Sequence, residues 1–373
     1  MSPDPSDRPR PSQRPDEYAA PADFRARGTC SDRGMGRPSP SGFRSAFPEG
    51  AVPTRLPGRV WVGLVFTLGL AAGLVLVAAR GGEAYPAEPE TPFQVADATA
   101  ELIDSRLPMH VNERVERWVR RFLGSQRASF EGYLVREGLY GGAIRDRLRQ
   151  RGMPEELLYL AMIESGFYTS ATSPVAASGV WQFMGPTARA YGLTIDAWVD
   201  ERRDPVRATE AALDYLEELH ATFGSWYLAA AAYNAGPGRV RQALRSARLA
   251  DGAGDEELYW QIIEHLPRET REYVPKLIAA ALLAQQAEHW GFHVEPSLPY
   301  LFDQVLVPAG TPLTRVAEVL DVTPGLVREL NPHLVRGATP PDRSVLVRVP
   351  QGQSHHVVAA LNERQRTANV RRN

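Results

Sequence analysis

Hydrophobic positions divide the chain into stretches of different character. Residues 1–59 contain 11 of the 31 prolines and no sustained apolar period, a composition typical of a disordered tail. Residues 60–79 form an apolar run without a single charged side chain. A helix of this length spans roughly 30 Å, the thickness of a bilayer core, so the run is predicted to be a transmembrane helix. The acidic stretch 80–106 is predicted to be an extended linker.

The charges that flank the apolar run predict its orientation. Residues 1–59 carry ten arginines, whereas residues 81–104 carry six acidic residues and no Arg or Lys. By the positive-inside rule, the run is a single-pass anchor of the inner membrane, with the N-terminal tail in the cytoplasm and the rest of the chain in the periplasm. A cleaved signal peptide is the alternative, although its apolar core would usually be shorter. Gly69 and Gly73 form a GxxxG pattern that could serve helix dimerisation.

Helical periodicity dominates residues 107–290. Apolar residues recur every three or four positions from Val111 onward, which indicates amphipathic helices. Asp204 followed by Pro205 is a helix-start signal, and Gly224 is a stop signal for the same helix. Further helices are predicted over 143–151, 155–163, 226–234 and 268–286. The sequence therefore predicts a mainly α fold, with one α-helical domain over 107–290.

The pattern changes after Gly291. Short β-prone runs at 304–307 and 345–349 flank two helical patterns at 311–320 and 324–330. A small β-α-α-β module over residues 303–350 is therefore expected, followed by a polar tail over 351–373.

Composition excludes several function classes. The formal net charge of −2 argues against a nucleic-acid partner held by bulk electrostatics. The single cysteine, Cys30, excludes an intramolecular disulfide framework and a cysteine-based zinc cluster. The pair His355–His356 lacks a third ligand nearby in the sequence. We expect neither a metal nor an organic cofactor.

The most informative chemistry begins at Glu164. This residue ends an apolar helix, so its carboxyl group is expected at the edge of a core, where desolvation raises a carboxyl pKa. A glutamate with a raised pKa can act as a general acid near neutral pH. The alternative is a solvent-facing glutamate at a helix end.

Turn, aromatic and amide residues follow Glu164 in the sequence. They are Ser173–Pro174, Ser178–Gly179, Trp181, Gln182, Phe183 and Met184. Flat apolar groups stack on sugar rings, and amides hydrogen-bond hydroxyl or acetamido groups. This combination favours a sugar site, although Trp181, Phe183 and Met184 could instead belong to the core.

Polar side chains on two later helices complete the candidate set. Tyr233 and Asn234 lie at the end of an Ala-rich helix, where they could line a cleft or cap the helix. Tyr273 lies one turn into the last long helix, from which it could reach the acid. Asp204 fits an N-cap better than a second catalytic carboxylate.

Four motifs in order carry a family resemblance. They are Glu164–Ser165, Gly179-x-Trp181-Gln182-Phe183-Met184, Ala232–Gly236 and Tyr273–Val274. Together they resemble the membrane-bound lytic transglycosylases with a goose-type lysozyme-like domain, particularly the lytic murein transglycosylase D type. The resemblance covers about residues 107–290 and implies a lysozyme-like α-helical fold.

The resemblance also implies an activity and a role for each matching residue. Glu164 would be the only catalytic carboxylate, acting first as acid and then as base. It would cleave the β-1,4 bond between N-acetylmuramic acid and N-acetylglucosamine in peptidoglycan without hydrolysis, leaving a 1,6-anhydromuramyl end. Ser173 would help hold the intermediate, and Tyr273 would orient Glu164. The remaining motif residues would bind the glycan: Gln182, Met184, Tyr233 and Asn234.

The C-terminal module resembles a divergent LysM glycan-binding domain. It keeps Leu330–Asn331–Pro332 and a closing Val347–Pro350 segment, but Pro308–Leu313 lacks the aspartate of the usual Gly-Asp-Thr-Leu motif. Glycan binding and a purely structural packing role both stay open for this module. Two alternatives to the lytic transglycosylase also stay open: a hydrolytic muramidase of the same fold and a non-catalytic peptidoglycan-binding scaffold.

Overall fold

The structure is a computed structural model that describes residues 106–249 and 254–358. The predicted tail 1–59 and the predicted transmembrane segment 60–79 lie outside the described residues, as does nearly all of the linker 80–106. Within the described ranges, no helix is both long and apolar enough to cross a membrane.

Helices dominate the first part of the described chain. In chain order they are α1 (Glu113–Leu123), α2 (Arg127–Gln150), α3 (Leu158–Ser165), α4 (Gly185–Ala190), α5 (Pro205–Phe223), α6 (Trp226–Ala235), α7 (Pro237–Ser246), α8 (Glu257–Ile262) and α9 (Arg268–Gln285). Short 3-10 turns at Glu155–Leu157, Glu201–Arg203 and Ile263–His265 connect them. The expected fold class, mainly α, is confirmed.

Local signals determine where several of these helices begin and end. The side chain of Asn112 caps α1 by accepting hydrogen bonds from the backbone N–H groups of Arg114 and Val115. Asp204 caps α5 in the same way, and Gly224 ends α5 with a left-handed φ of 66°. The predicted start and stop of α5 are therefore confirmed.

The helix α2 is much longer than the sequence pattern predicts. The short helix expected over 143–151 is the end of a helix that begins at Arg127, so its predicted start is wrong. Glycines at 138, 141 and 142 weaken the local helical signal. Buried side chains from Phe130 to Leu148 continue along one face of the helix, and this tertiary packing outweighs the low intrinsic propensity.

The centre of the helical core is formed by α6 and α9. Ala229–Ala232 of α6 and Ala279–Ala281 of α9 are fully buried. Small side chains allow closely packed backbones, because little side-chain volume separates the helix axes. The helix α9 also packs against α3, and this contact places the first turns of α9 beside the end of α3.

The C-terminal part of the described chain is a small β-α-α-β module. Its elements are β1 (Phe302–Val307), α10 (Leu313–Leu320), α11 (Pro324–Leu330) and β2 (Val345–Pro350). The two strands pair antiparallel, with Val305 opposite Val347 and Leu306 opposite Leu346. The valines face the buried core of the module, whereas both leucines are exposed, as the two-residue period of a strand requires.

Candidate active site

Glu164 lies in the last turn of α3. The preceding residues of this helix, from Leu158 to Ile163, are all buried, so the helix is fixed in the core and its end carries a partly exposed Glu164. Gly166 ends the helix with a φ of 58°, and a Cβ there would lie 2.4 Å from the ring of Tyr133. Only glycine satisfies both the left-handed backbone and this close approach.

The carboxyl group of Glu164 is held by α9. The Tyr273 hydroxyl donates a hydrogen bond of 2.6 Å to Glu164 Oε1. Burial raises the pKa of Glu164 from its ordinary value to about 7, while the Tyr273 hydrogen bond and the Lys276 charge lower it and the Glu269 charge raises it. A carboxyl group with this pKa can both give and accept a proton near neutral pH.

Lys276 and Glu269 are site residues that the sequence reasoning missed. Lys276 Nζ donates a 2.9 Å hydrogen bond to the carbonyl oxygen of Ile163, which immediately precedes Glu164. Burial lowers the pKa of Lys276, and the charges of Glu164 and Glu269 raise it. The sequence contains a signal for both residues. Glu269, Tyr273 and Lys276 are spaced four and three positions apart, so they share one face of α9.

Residues 171–184, here called the motif segment, lie against the end of α3. Ser165 Oγ donates a 2.8 Å hydrogen bond to the carbonyl oxygen of Val180. Gly179 has a φ of 84°, and a Cβ there would lie 1.7 Å from the carbonyl oxygen of Arg202. The Gln182 amide nitrogen donates to the carbonyl oxygens of Gly179 at 2.9 Å and Ala171 at 3.3 Å. The amide of Gln182 therefore stabilises the turn that presents it.

Ser173 closes a small loop within the motif segment. Its Oγ accepts a 3.0 Å hydrogen bond from the backbone N–H of Ala177, and its own N–H donates to the Ala177 carbonyl at 2.9 Å. In the described part of the chain, no hydrogen bond connects Ser173 to Glu164. The structure therefore places Ser173 in the neighbouring loop, where its hydroxyl is hydrogen-bonded to the backbone of Ala177.

The aromatic residues of the motif segment belong to the core. Trp181 is fully buried, and its indole N–H donates a 2.9 Å hydrogen bond to Thr209 Oγ1. Phe183 is also buried, whereas Met184 is 42% exposed. The idea that Trp181 stacks on a sugar ring is therefore wrong, since both its ring and its N–H are used inside the protein. Met184 remains available at the surface.

Tyr233 and Asn234 at the end of α6 have different surroundings. The Tyr233 hydroxyl donates a 2.8 Å hydrogen bond to the Trp181 carbonyl, and burial and the Glu164 charge raise the pKa of Tyr233. Asn234 accepts a 2.8 Å hydrogen bond from Thr270 Oγ1 and donates one of 3.1 Å to Glu269. The structure thus brings Tyr233 close to the acid and joins Asn234 to the start of α9.

Two families match parts of the chain. Residues 143–253 match the transglycosylase SLT domain family. Residues 301–365 match the LysM-like domain of lytic transglycosylase MltD. The chain carries an SLT domain and an MltD-type LysM-like domain. The SLT domain holds Glu164, the motif segment and the end of α6, while Tyr273 and Lys276 follow it.

Two lytic murein transglycosylases are similar in sequence to part of this chain. Membrane-bound lytic murein transglycosylase D of Escherichia coli K12 is 34% identical over 181 residues, which are 48% of this chain and 39% of the relative. Soluble lytic murein transglycosylase of the same strain is 33% identical over 127 residues, which are 32% of this chain and 19% of the relative. The chain thus spans well under two thirds of the length of either relative.

A solved lytic transglycosylase also shares similarity with this chain. The structure of Slt from Pseudomonas aeruginosa is 29% identical, with a TM-score of 0.31, over 41% of this chain and 25% of that chain.

Proposed function

We propose that this protein is a peptidoglycan lytic transglycosylase. It cleaves the β-1,4 bond between N-acetylmuramic acid and N-acetylglucosamine and leaves a 1,6-anhydromuramyl end. The observation that carries the proposal is Glu164, a partly exposed glutamate of the SLT domain whose pKa burial raises to about 7 and whose carboxyl group accepts a hydrogen bond from Tyr273.

Glu164 acts first as a general acid. With a pKa of about 7, a large fraction of the carboxyl groups is protonated at neutral pH, so the proton is available for transfer. It passes to the glycosidic oxygen of the departing N-acetylglucosamine as the bond from that oxygen to muramyl C1 breaks. Positive charge then develops at C1, as in other glycoside-cleaving reactions.

Glu164 then acts as a general base. Its carboxylate accepts the proton of the muramyl C6 hydroxyl as that oxygen bonds to C1, which closes the 1,6-anhydro ring and restores the protonated enzyme. A hydroxyl of the same sugar thus replaces the attacking water or second carboxylate of ordinary glycosidases. Glu269, whose charge acts on Glu164, is exposed and hydrogen-bonded to Asn234, so no separate catalytic role is assigned to it.

Tyr273 and Lys276 position the acid and adjust its proton affinity. The Tyr273 hydrogen bond fixes one carboxyl oxygen, and the Lys276 hydrogen bond fixes the backbone immediately before Glu164. The Tyr273 hydrogen bond and the positive charge of Lys276 both lower the pKa of Glu164 and so oppose the effect of burial. A balance of this kind keeps both protonation states accessible during one reaction cycle.

The glycan-binding roles follow the motif positions. Gln182, Met184, Tyr233 and Asn234 bind the sugar rings, and Ser173 helps hold the intermediate. Among these side chains, Met184 offers an exposed apolar surface. The Oε1 atom of Gln182 accepts no hydrogen bond from any residue that the structure describes, which suits it to a sugar hydroxyl or amide.

The proposed organisation places this chemistry in the cell envelope. The catalytic domain occupies 107–290 and the LysM-like module 303–350, followed by a tail over 351–373. Residues 60–79 anchor the chain in the inner membrane as a single pass, with 1–59 in the cytoplasm and 80–106 as a linker into the periplasm. A relative of similar sequence is named as membrane-bound, which supports this location.

Product analysis in water labelled with heavy oxygen tests the proposal. The full chain is incubated with purified sacculi, and the released muropeptides are examined by mass spectrometry. We expect anhydromuramyl products that are one water molecule lighter than reducing ends and carry no label. Labelled reducing ends would identify a hydrolytic muramidase instead, and bound but uncleaved sacculi would identify a scaffold.

A further inference from the structure

The LysM-like module is docked on the catalytic domain through residues 196–204, here called the docking loop. Val199 of this loop pairs with Leu334 in an antiparallel bridge and is part of the buried core of the module. Backbone hydrogen bonds connect Val335 N–H to the Trp198 carbonyl at 3.0 Å and Asp200 N–H to the His333 carbonyl at 2.9 Å. The docking loop is therefore packed as an integral part of the module.

A buried ion pair fixes one end of the docking loop. Nη2 of Arg348 on β2 lies 2.7 Å from both carboxyl oxygens of Asp204, and both side chains are 4% exposed. His333 Nδ1 lies 3.5 Å from the same carboxylate. A buried charge that loses its partner is strongly destabilising, so the module and the docking loop depend on each other at this position.

Arg202 connects the docking loop to the motif segment. Its guanidinium contacts Asp200 of the same loop at 2.8 Å, and its Nη1 donates to the carbonyl oxygens of Ala176 at 2.7 Å and Phe183 at 3.2 Å. The backbone of Arg202 also lies so close to Gly179 that no side chain could fit between them. Through Arg202 alone, the docking loop therefore contacts the motif segment at three separate points.

A second connection runs through the start of α5. Asp204, the partner of Arg348, also caps α5 through the N–H groups of Val206 and Arg207. One turn later, Thr209 accepts the indole N–H of Trp181. Asp204 therefore both pairs with the module and begins α5, the helix that binds Trp181 of the motif segment through Thr209.

We propose that the docked LysM-like module positions the motif segment, so that glycan binding in the catalytic cleft depends on a module that lies outside it. The inference rests on the proposed function. The positioning residues are Arg348, Asp204 and Arg202. They hold the segment that carries Ser173, Gln182 and Met184. A binding surface held rigid loses less conformational entropy when a ligand binds, and loosening it weakens the affinity.

Variants of the full chain test this inference. Arg348→Met removes the buried pair, and Arg348→Lys retains its charge. The double variant Arg336→Ala/Arg343→Ala removes exposed contacts to the Ala197 carbonyl and Asp196 of the docking loop. It also removes the contact of Arg336 with the Trp198 ring and the Arg343–Asp342 ion pair. Because the buried pair stays intact, this variant keeps the proposal testable if Arg348→Met fails to fold. Arg315→Ala, which removes an exposed ion pair with Glu318 inside the module, is the matched control. Amide hydrogen exchange and kcat and KM on glycan strands are measured for each.

The expected outcome is faster exchange in both the docking loop and the motif segment. For Arg348→Met we expect exchange faster by about tenfold or more in both segments and KM higher by about three- to tenfold with a smaller change in kcat. Arg348→Lys and the double variant should both show smaller increases in exchange rate and KM than Arg348→Met. Arg315→Ala should match the wild type in both.

Two results would overturn the inference. One is faster exchange confined to the docking loop, or absent from both segments, in Arg348→Met. The other is a raised KM with unchanged exchange in the motif segment, as expected of a module that only binds glycan. If the wild-type chain cleaves no glycan, the proposed function fails, but the exchange measurements still decide whether the module positions the motif segment.

Discussion

The hydroxyl of Tyr273 donates a 2.6 Å hydrogen bond to Glu164 Oε1, although the two residues lie 109 positions apart in the sequence. The bond stabilises the carboxylate and therefore lowers the pKa of Glu164 against the larger effect of burial. It also fixes the direction in which the carboxyl group points. This contact between α3 and α9 thus contributes to both the position and the proton affinity of Glu164.

Replacing Tyr273 by Phe should raise the pKa of Glu164 above about 7, because the hydrogen bond to the carboxylate is lost. Activity that needs the protonated acid falls as pH rises through this pKa, so the falling limb of kcat/KM should move to higher pH. Poorer orientation should lower the maximal rate by about 10- to 100-fold. Tyr191→Phe, which removes an exposed bond to Glu218, should leave the profile unchanged. An unshifted limb in Tyr273→Phe would contradict the account.

Replacing Glu164 by Gln should stabilise the fold in a pH-dependent way. A carboxyl group whose pKa is raised in the folded state makes the fold less stable as pH rises from the ordinary pKa of glutamate through about 7. The free energy of unfolding of Glu164→Gln should therefore exceed that of the wild type by on the order of 1–3 kcal/mol at pH values above 7. The difference should vanish at pH values below the ordinary pKa of glutamate. Denaturant unfolding of both proteins, above pH 7 and below the ordinary pKa of glutamate, measures this difference. A difference that does not change with pH would contradict a raised pKa of Glu164.

Gly179→Ala should be strongly destabilising. Its φ of 84° disfavours a side chain, and a Cβ would lie 1.7 Å from the Arg202 carbonyl oxygen. We expect a loss of about 3 kcal/mol or more in the free energy of unfolding. Gly142→Ala is the matched control, because no atom lies within 4 Å of the added Cβ and alanine favours the helix, with an expected gain of about 0.5–1 kcal/mol. Equal effects of the two substitutions would contradict the close packing of Gly179 against the Arg202 carbonyl oxygen.

Asp204→Asn should separate the two roles of this residue. Asparagine still caps a helix, but it leaves the buried guanidinium of Arg348 without its charged partner. The expected loss in unfolding free energy is about 3–5 kcal/mol. In contrast, Asp196→Asn removes an exposed ion pair with Arg343 and should change the free energy of unfolding by less than about 1 kcal/mol. Thermal and denaturant unfolding of both variants checks this, and a neutral Asp204→Asn would contradict the buried pair.

The parts of the fold that the sequence predicts correctly depend on local signals. Asp204, Pro205 and Gly224 determine where α5 begins and ends through their own backbone and side-chain preferences, so neighbouring residues suffice to locate them. The start of α2 could not be predicted this way, because packing of its buried face outweighs its internal glycines.

The candidate site was predictable only in part. The apolar helix before Glu164 indicates a desolvated carboxyl group, but the contact with Tyr273 depends on how α9 packs against α3. The indole N–H of the buried Trp181 finds its partner in Thr209, which lies 28 positions away. Because Arg348 and Asp204 are joined across 144 positions, their pairing likewise could not be found in the local pattern.

The central claim is that Glu164 is the single carboxylate that performs both proton transfers. Comparing Glu164→Gln with Glu269→Gln tests it most directly, since Glu269 is the other carboxylate whose charge acts on Glu164. The release of anhydromuramyl products from sacculi is measured by mass spectrometry for both variants and the wild type. The account predicts a loss of about 1,000-fold or more in Glu164→Gln and of less than about 10-fold in Glu269→Gln. Substantial activity in Glu164→Gln, or an equally complete loss in Glu269→Gln, would contradict it.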